Sequence, residues 1–504
     1  MIGKIITAGR PGFHATLVTV EADILSGLPG LTIVGLPDHA VRESRDRIRS
    51  AIVNSGFTFP ARQIVINLSP NDTPKEGGLM EAAMAAAVLV ASGQLPQEPF
   101  HRTALMASLS LDGTLQPGRA LAAAAVFAAG KAEVTQLLLP ASAAGEIVVA
   151  QATKVFALRS LSDLAAFAYG QIEARGGCRF TAEEEIPEIT IEQIFGLQQA
   201  KRAMAIAAVG RHHMLLVGSP GTGKSLLARA YRHLLPPLNF AEAAEVTRLY
   251  SLAGLGSGEL IRRRPFRSPH HSTSMAALVG GSAQARPGEI SLAHRGTLFL
   301  DELPEFRNEA LQSLREPLED KRITIARARG HLTYPADFQL LAAANPCRCG
   351  NLFVDPRLCQ CKPAQALTQF SKLIGPFLDR IAIELDLNNL HESTQTSQPY
   401  TTAMLQERIA QARMFSLKRN NGKLNDQIEP GMLYALLEKL NPMKLFERFA
   451  VSERLTLRSW LNCLRVAFSV ADFEGVDINE SHIHEALAYR FLAKRIASLQ
   501  HRAA

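Results

Sequence analysis

The sequence has 504 residues, of which 47% are hydrophobic and 20% charged, so it is too long for one hydrophobic core and has a globular composition. Its longest apolar runs, Ala82–Ala91 and Ala120–Ala129, have ten residues each. Because a bilayer span needs about 20 apolar residues and no export signal is visible, we expect a cytoplasmic protein without membrane contact. The formal charge of +7 is compatible with an anionic partner but does not by itself indicate nucleic acid.

Residues 1–170 mix short strand and helix patterns, which predicts an α+β domain. The predicted strands are Leu17–Val20, Leu31–Val34, Gln63–Leu68 and Gln136–Leu139, and the predicted helices are Asp38–Ser55 and Glu81–Ser92. Residues 171–190 are polar and contain Gly176, Gly177 and Pro187, so they predict a linker.

The strongest motif lies within Met214–Leu227, where four apolar residues predict a buried strand and the residues from Leu226 onward predict a helix. Between them stands the phosphate-loop pattern G-x-x-x-x-G-K-[ST], formed by Gly218, Ser219, Pro220, Gly221, Thr222, Gly223, Lys224 and Ser225. We expect the backbone up to Leu226 to enclose the phosphates of a nucleoside triphosphate. Lys224 is expected to bind the β- and γ-phosphates, and Ser225 is expected to bind Mg²⁺.

Downstream, the apolar strand Thr297–Leu300 is followed directly by Asp301 and Glu302. A strand buried in a parallel sheet presents such an acidic pair at its carboxyl end, beside the phosphates. Asp301 is therefore predicted to hold the Mg²⁺ shell. Glu302 is predicted to orient and deprotonate the attacking water, which separates a hydrolysing site from one that only binds.

Two further polar residues follow predicted apolar segments. Asn345 ends the strand Phe338–Ala344, where its amide would hold the water or the γ-phosphate, or would form a turn before Pro346. Arg380 ends the segment that begins at Gly375. Its guanidinium would stabilise the charge on a neighbouring subunit's γ-phosphate, or would pair with a surface carboxylate.

Four of the six cysteines fall within fifteen residues, as the C-x-C pairs Cys347 with Cys349 and Cys359 with Cys361. Four thiolates complete the tetrahedral shell of a structural Zn²⁺. The sequence therefore predicts a zinc knuckle directly after Asn345, with reduced free thiols as the alternative.

A basic segment lies between the phosphate loop and the acidic strand. Its members are Arg262, Arg263, Arg264, Phe266 and Arg267. Cations beside an aromatic ring suit the phosphates and bases of DNA, whereas a solvated charged loop is the alternative. The neighbouring pair His270 and His271 would form hydrogen bonds within a loop, whereas the family resemblance given below implies that the pair faces a central pore.

Residues 391–504 carry a helical pattern that closes with a predicted helix at Ile483–Ala497. With this helical end, the chain resembles the ComM/YifB family of magnesium-chelatase-like AAA+ ATPases. The blocks that carry the resemblance are Gly27–Pro37, Asn67–Pro70, Arg264–Ser272, Arg286–Gly296, Leu298–Phe306 and Gly375–Arg380. The resemblance implies an α/β fold class with an AAA+ αβα P-loop core at 191–390 and a C-terminal helical lid at 391–504.

The resemblance also implies roles for single residues. Asn345 is implied as sensor 1 and Arg380 as an arginine finger that acts in trans. Arg454 is implied as sensor 2 of the lid, with Arg458 as the fallback. ATP and Mg²⁺ are the implied cofactors, and nucleotide sites between protomers imply a homo-oligomeric ring, a hexamer.

Residues 1–170 resemble the proteolytic domain of Lon, a Ser-Lys peptidase. In this chain Leu79 stands at the nucleophile's position and Ala122 at the lysine's, so acyl transfer has neither its nucleophile nor its base. Ser69 and Lys75 form the alternative, displaced pair. We therefore expect a scaffold or partner-binding domain.

Two functions stay open at this stage. The resemblance implies an ATP-driven DNA motor for branch migration or helicase activity in recombination during natural transformation, with recombination proteins as possible partners. The alternative is a protein-remodelling or chelatase-type ATPase that acts on a protein partner. Stimulation of ATP hydrolysis by branched or single-stranded DNA would separate them.

Overall fold

A computed structural model describes most of the chain: residues 2–9, 16–71, 75, 77–118, 121–144, 147, 153–174, 188–255, 260–281, 286–327, 330–353, 359–361, 377–388, 399–438, 441–450 and 455–496. The chain divides into two compact units. The first comprises Met1–Glu183 with Leu238–Arg263, and the second comprises Glu184–Pro237 with Arg264–Ala504. Within the described ranges, no helix combines the length and the apolar character that a membrane span requires.

The strands are numbered in chain order. They are β1 (Gly3–Gly9), β2 (Thr16–Leu25), β3 (Gly30–Val34), β4 (Gln63–Ser69), β5 (Thr103–Leu105), β6 (Ser108–Leu109), β7 (Leu115–Gln116), β8 (Gln136–Pro140), β9 (Lys154–Leu158), β10 (Met214–Val217), β11 (Phe266–Arg267), β12 (Thr297–Leu300), β13 (Arg322–Arg327), β14 (Gly330–Pro335), β15 (Gln339–Ala344) and β16 (Ile383–Asp386).

The α-helices are numbered in the same way. They are α1 (His39–Asn54), α2 (Glu81–Ala91), α3 (Leu121–Ala129), α4 (Ala141–Ala144), α5 (Asp163–Ala168), α6 (Gln198–Gly210), α7 (Lys224–Tyr231), α8 (Phe240–Ala253), α9 (Met275–Val279), α10 (Glu289–Leu292), α11 (Asn308–Ser313), α12 (Arg315–Asp320), α13 (Thr402–Arg419), α14 (Pro430–Leu436), α15 (Pro442–Ala450), α16 (Leu457–Glu474) and α17 (Glu480–Ala488). Short 3₁₀ turns lie at Gly78–Met80, Glu98–Phe100, Arg232–Leu234, Leu303–Glu305, Leu378–Arg380 and Asn425–Gln427.

The first unit is built on a mixed sheet with the strand order β3-β4-β2-β1-β5-β8-β9. The antiparallel pairs are β1 with β2 and β2 with β4, and the remaining neighbours are parallel. Helix α2 packs on β1 and β2, and every one of its residues is buried, which explains its continuous apolar sequence. The strands and helices predicted for this region are present, with ends that differ by a few residues.

The first unit also includes Leu238–Arg263, although the rest of residues 191–390 belongs to the second unit. Helix α8 of this segment packs on α3, where Val126 contacts a small apolar cluster that includes Ala243 and Val246. In the sequence, no change of composition and no linker marks the points where the chain passes between the two units here. The sequence analysis therefore did not identify it.

The second unit contains a fully parallel sheet with the strand order β11-β12-β15-β10-β16. Every residue of β10, β12 and β15 is buried. Helix α6 packs against α13 and α16, whose apolar residues share one core with the sheet. This arrangement is the αβα layer expected from the sequence, and it brings the ends of β10, β12 and β15 to one edge.

The C-terminal helices α13–α17 follow the predicted helical pattern, but the prediction of one helix over Ile483–Ala497 was wrong. Helix α17 ends at Ala488, and residues 492–496 form a separate helical segment. Strand β16 causes the break, because the backbone N–H of Glu384 donates to the Tyr489 carbonyl oxygen at 2.8 Å and the Glu384 carboxylate accepts from the Leu492 N–H at 2.8 Å. Local sequence patterns do not report such a tertiary contact.

Two boundary predictions fall largely outside the described residues. The linker predicted at 171–190 includes residues 175–187, and the boundary predicted between 390 and 391 lies within residues 389–398. Both boundaries stay predictions.

Candidate nucleotide site

The phosphate loop connects the end of β10 to the start of α7. Gly221 and Gly223 have φ values of +83° and +86°, a region that favours glycine and that the curled loop requires. Helix α7 begins at Lys224, two residues earlier than the sequence indicated. Lys224 and Ser225 are consequently the first residues of the helix, where its positive end favours anions.

The Lys224 side chain lies inside the loop. Its Nζ donates to the carbonyl oxygens of Gly218 and Ser219, at 2.8 Å each. Burial lowers the pKa of Lys224, and the nearby charge of Asp301 opposes this effect. The Lys224 amine therefore lies at the position that the motif assigns to phosphate binding, where Asp301 favours its charged form.

Asp301 and Ser225 form a small oxygen pair beside the loop. The Ser225 hydroxyl donates to Oδ2 of Asp301 at 2.8 Å. Because Mg²⁺ binds oxygen at about 2.1 Å in an octahedron, adjacent ligands lie about 3.0 Å apart. The spacing of this hydroxyl and carboxylate therefore fits two neighbouring positions in a magnesium shell.

Glu302 follows in a left-handed conformation, with φ of 51°. This backbone turn directs a half-exposed carboxylate away from the strand, and Nδ1 of His271 lies 3.0 Å from its Oε2. His270 instead contacts the Ser272 hydroxyl at 2.7 Å through its Nδ1. These contacts favour the alternative of a hydrogen-bonded loop for the two histidines.

Asn345 lines the same cavity as Glu302 and His271, a space of about 310 Å³. Strand β15 brings it there, because β15 lies between β10 and β12 and runs parallel to both. The carboxyl ends of these three strands therefore gather the phosphate loop, the acidic pair and Asn345. We call this side the carboxyl edge of the sheet.

Arg380 lies at the opposite edge, in the 3₁₀ turn that precedes β16. Its Nη2 donates to Oε1 of Glu319 at 2.7 Å, and Arg458 binds the same carboxylate oxygen. Burial raises the pKa of Glu319, but the two guanidinium groups lower it by more. The net shift is downward, so the carboxylate stays ionised. We call this side, where β10, β15 and β16 begin, the amino edge.

The amino edge also contains a cavity of about 230 Å³ lined by both acidic and basic side chains. Asp337 is its most strongly bound carboxylate, with Arg211 at 2.8 Å and Arg295 at 2.9 Å. Burial raises the pKa of Asp337, but Arg211 and the other cations hold it far below its usual range. Arg454 lies outside the described residues, so the sensor 2 prediction stays untested there.

The basic segment predicted to bind DNA is partly used within the fold. The Arg264 guanidinium donates to the Arg295 carbonyl oxygen at 2.6 Å and also binds the Pro236 carbonyl oxygen. Arg267 forms a two-point ion pair with Glu289, at 2.6 and 2.7 Å. These two arginines have partners within the fold, and the DNA prediction for Arg262, Arg263, Arg264 and Arg267 stays a prediction.

The four cysteines of the C-x-C pairs converge as the spacing predicted. Their sulfur atoms all lie within 4.8 Å of one another. The Sγ–Sγ distances are 3.3 Å for Cys347 with Cys349, 3.7 Å for Cys347 with Cys359 and 3.6 Å for Cys349 with Cys359. A tetrahedral Zn²⁺ with Zn–S bonds of about 2.3 Å needs sulfurs about 3.8 Å apart, whereas a disulfide needs about 2.05 Å. The group therefore fits a metal ion.

The thiols of this group differ in their protonation, because burial raises the pKa of Cys347 and of Cys359 whereas Cys349 is shifted downward. The backbone N–H of Asn351 donates to the Cys349 sulfur and lowers the pKa of Cys349 to about 6. Thiolate is the form that binds metals, so at least this sulfur is prepared as a ligand at neutral pH.

In the first unit, the two residues predicted to stand at the positions of a peptidase dyad are packed among apolar side chains. Leu79 and Ala122 are buried in one hydrophobic cluster. The amine of Lys75, from the displaced pair, is buried and donates to the Pro70 carbonyl oxygen. These contacts give the region a packing role.

Comparisons with known proteins agree with this geometry. Residues 190–395 match the family described as magnesium chelatase, subunit ChlI; residues 20–143 match subunit ChlI of Mg-chelatase; and residues 400–490 match the subunit's C-terminal family. The competence protein ComM of Haemophilus influenzae is 36% identical over 97% of both chains. The uncharacterized protein YifB of Salmonella typhimurium is 38% identical over 98% of both.

The chain belongs to the ComM/YifB family of magnesium-chelatase-like AAA+ ATPases. A shorter match, 47% identity over 66 residues, links 13% of the chain to 11% of an archaeal Lon protease from Archaeoglobus fulgidus. The predicted fold class is thereby confirmed: an α/β chain with Lon similarity in its N-terminal region, an AAA+ core and a C-terminal helical region. As a member of the ComM/YifB family, the chain belongs among the ATPases that use ATP and Mg²⁺.

The sequence analysis did not identify two residues that contact predicted site residues of this ComM/YifB chain. Glu319, which holds Arg380, has no motif around it. Asn388, whose Oδ1 accepts from the Ser219 N–H at 3.0 Å, follows a strand end as Asn345 does. The rule that polar residues after parallel strands meet at one edge could have identified Asn388.

Proposed function

We propose that the chain is an ATP-hydrolysing ring motor that acts on DNA, moving a branch or displacing a strand during homologous recombination. One observation carries the proposal: Lys224 and Glu302 lie at the carboxyl edge of the parallel sheet, whereas Arg380 lies at the amino edge. A strand of four residues such as β10 separates the edges by about 13 Å. Arg380 is therefore proposed to contact the phosphate that is bound by another protomer.

In this proposal the loop from Gly218 to Leu226 binds the phosphates of ATP, with Lys224 at the β- and γ-phosphates. Ser225 and Asp301 would hold Mg²⁺, which neutralises charge on the phosphates. Glu302 takes the proton of the attacking water, and Asn345 orients that water from the neighbouring strand.

The neighbouring protomer completes the site with Arg380, which exchanges its partner Glu319 for the transferred phosphate. Arg458 binds the same Glu319 carboxylate, so we propose that it lies at the same interface between protomers. Arg454 remains the proposed sensor 2 of the lid, with Arg458 as the fallback. Such sites between identical protomers require a closed ring, for which we propose a hexamer.

DNA as the polymer is supported by the name of one relative, the competence protein ComM of Haemophilus influenzae. The net charge of +7 fits an anionic partner. Arg263 is exposed and Arg262 is half-buried, so these two are the proposed contacts from the basic segment. Recombination proteins are the proposed protein partners.

We further propose that the four cysteines bind Zn²⁺ as a closed structural site. Cys347, Cys349, Cys359 and Cys361 would supply all four ligands, which leaves no position for substrate. Metal analysis of the purified chain should give about one zinc per chain that a chelator releases. Zinc-free protein after reconstitution in the reduced state would contradict the assignment.

A second function is favoured by the Lon similarity of the N-terminal region, which suggests work on a protein. The deciding experiment measures ATPase rate against branched DNA, single-stranded DNA and unfolded protein, at low and high salt. The DNA motor predicts stimulation by DNA that weakens as salt rises, because counterions released from phosphates drive binding.

A double variant sharpens this experiment. Arg262→Ala with Arg263→Ala should reduce the DNA stimulation and its salt dependence while the rate without DNA stays unchanged. Arg448→Ala, at a solvent-exposed arginine paired with Glu480, serves as the control for loss of a surface positive charge outside the basic segment. Stimulation by unfolded protein alone would replace the DNA motor with the protein-remodelling function.

A further inference from the structure

The phosphate loop is held from outside by the turn that carries two of the cysteines. The hydroxyl of Ser219, the second residue of the loop motif, donates to the Gly350 carbonyl oxygen at 2.6 Å. The carbonyl oxygen of Ser219 accepts from Lys224 Nζ at 2.8 Å. Ser219 therefore joins the phosphate-binding lysine directly to the segment after β15.

Gly350 makes this contact at close range. Its φ of +82° lies in the left-handed region, and a Cβ atom at this position would lie 2.3 Å from Cδ of Pro220 and 3.4 Å from Cα of Ser219. No side chain other than hydrogen fits between the turn and the loop. The backbone of Gly350 therefore forms part of the surface on which the phosphate loop rests.

The same turn provides half of the candidate metal site. The Gly350 N–H donates to the Cys347 carbonyl oxygen at 3.1 Å, which closes the turn over Cys347 and Cys349. Cys359 and Cys361 supply the other two sulfurs, from a segment about ten residues further on. A bound metal would hold the turn by two bonds, to Cys347 and Cys349, and would tie it to the segment of Cys359 and Cys361 by two more, so Gly350 would be fixed with it.

We propose that the four-cysteine centre, when it holds a metal ion, sets the affinity of the phosphate loop for ATP, with Gly350 as the positioning residue that connects the two. The inference rests on the proposed ATP and zinc sites. The metal keeps the turn pre-organised, so the loop does not lose freedom again when ATP binds. Asn345 lies two residues before Cys347, and both line the same cavity as Glu302, so loss of the metal should also lower the saturated ATPase rate. The inference is therefore tested on the dissociation constant for ATP.

The first test removes the metal from the full-length, zinc-reconstituted protein with a chelator. The dissociation constant of a fluorescent ATP analogue and the saturated ATPase rate are then measured separately. We expect the dissociation constant to rise about tenfold, which corresponds to about 1.4 kcal/mol, with full recovery on adding Zn²⁺. An unchanged dissociation constant after complete zinc release would overturn the proposal.

The second test uses Gly350→Ala, which pushes on Pro220 while leaving all four cysteines intact. We expect about one zinc per chain to be retained and ATP affinity to fall about tenfold. Gly422→Ala is the matched control, because Gly422 also has a positive φ, +84°, but has no atom within 4 Å of its would-be Cβ. Equal ATP affinities in the two variants would refute the positioning role.

These outcomes separate the inference from the proposals beneath it. If the untreated protein binds no ATP, the proposed function is wrong. If it binds ATP but takes up no zinc on reconstitution, the metal site and the inference are both wrong. If chelation unfolds the chain, as thermal unfolding would report, the comparison of Gly350→Ala with Gly422→Ala decides alone.

Discussion

The two edges of the parallel sheet in the second unit differ in what they expose. The carboxyl edge presents a cationic amine inside a glycine-rich loop, two carboxylates and an amide, and it contains a cavity of about 310 Å³. The amino edge presents guanidinium groups that are bound to carboxylates of the same chain, as Arg380 is to Glu319. We propose that the carboxyl edge binds and hydrolyses a triphosphate, and that the amino edge supplies Arg380 to a neighbouring protomer.

In the proposed ring, this difference means that one protomer contains halves of two sites rather than one complete site. The ion pair with Glu319 keeps the Arg380 guanidinium ordered, so less conformational entropy remains to be lost when it meets a phosphate. A ring would bring the amino edge of one copy to the carboxyl edge of the next. The following predictions examine the two edges separately.

The largest effects are expected at the carboxyl edge. Lys224→Ala should abolish ATP binding, because it removes the only phosphate-binding charge that the loop motif supplies. Glu302→Gln should preserve binding and ring formation but lower turnover about 100-fold or more, since an amide cannot accept the proton of water. Nucleotide binding and phosphate release are the two measurements, and wild-type turnover in either variant would refute the assigned roles.

Arg380→Ala tests the amino edge. Turnover should fall about 1000-fold, the lower range for a lost arginine finger, while nucleotide affinity changes little. Because the defect lies in trans, mixing this variant with Glu302→Gln protomers should restore part of the activity. Arg448→Ala, an exposed arginine of the C-terminal helices, is the control. Complete inactivity at every mixing ratio would argue against an interface role.

A smaller effect is expected for His271, which lies 3.0 Å from the Glu302 carboxylate. A hydrogen bond to a charged group contributes about 1.5–3 kcal/mol when it is buried, and less at a half-exposed carboxylate such as that of Glu302. If this contact restrains Glu302, removing the imidazole should raise the ATPase rate measured without DNA about fivefold. His271→Ala is compared with His270→Ala, whose imidazole contacts Ser272 instead. Equal rates in the two variants would show that His271 does not restrain Glu302.

The carboxyl edge was more predictable from the sequence than the amino edge, for a physical reason. A phosphate loop and an acidic strand end are local patterns, and parallel pairing of β10, β15 and β12 then forces their ends together. The cysteine pairs are equally local. By contrast, the partner of Arg380 depends on how α12 packs, which no spacing in the sequence encodes.

The same limit explains the other failures of the sequence analysis. The packing of α8 on α3 and the break of the last predicted helix at Tyr489 arise from contacts between distant segments. The side-chain partners of Arg264 and Arg267 are likewise tertiary. A cluster of cations in sequence predicts charge but not whether that charge is already paired.

The last prediction concerns pH and the amino edge, where His212 lies two residues before β10. Its Nε2 contacts the Ser469 hydroxyl at 2.7 Å, and burial, with a contribution from Arg465, lowers its pKa to about 3. The unfolded chain binds a proton near pH 6.5 and the folded chain does not, so stability is fully present above pH 6.5 and falls as pH drops toward the folded pKa. His212 should therefore cost about 2 kcal/mol of unfolding free energy between pH 7 and pH 4.5.

His212→Gln, which does not titrate and retains a polar side chain, should show a shallower loss of stability over the same pH range. Thermal or denaturant unfolding at several pH values measures the difference between the two proteins, in which the other titrating groups cancel. Parallel curves for wild type and His212→Gln would mean that His212 accepts its proton while the amino edge stays folded.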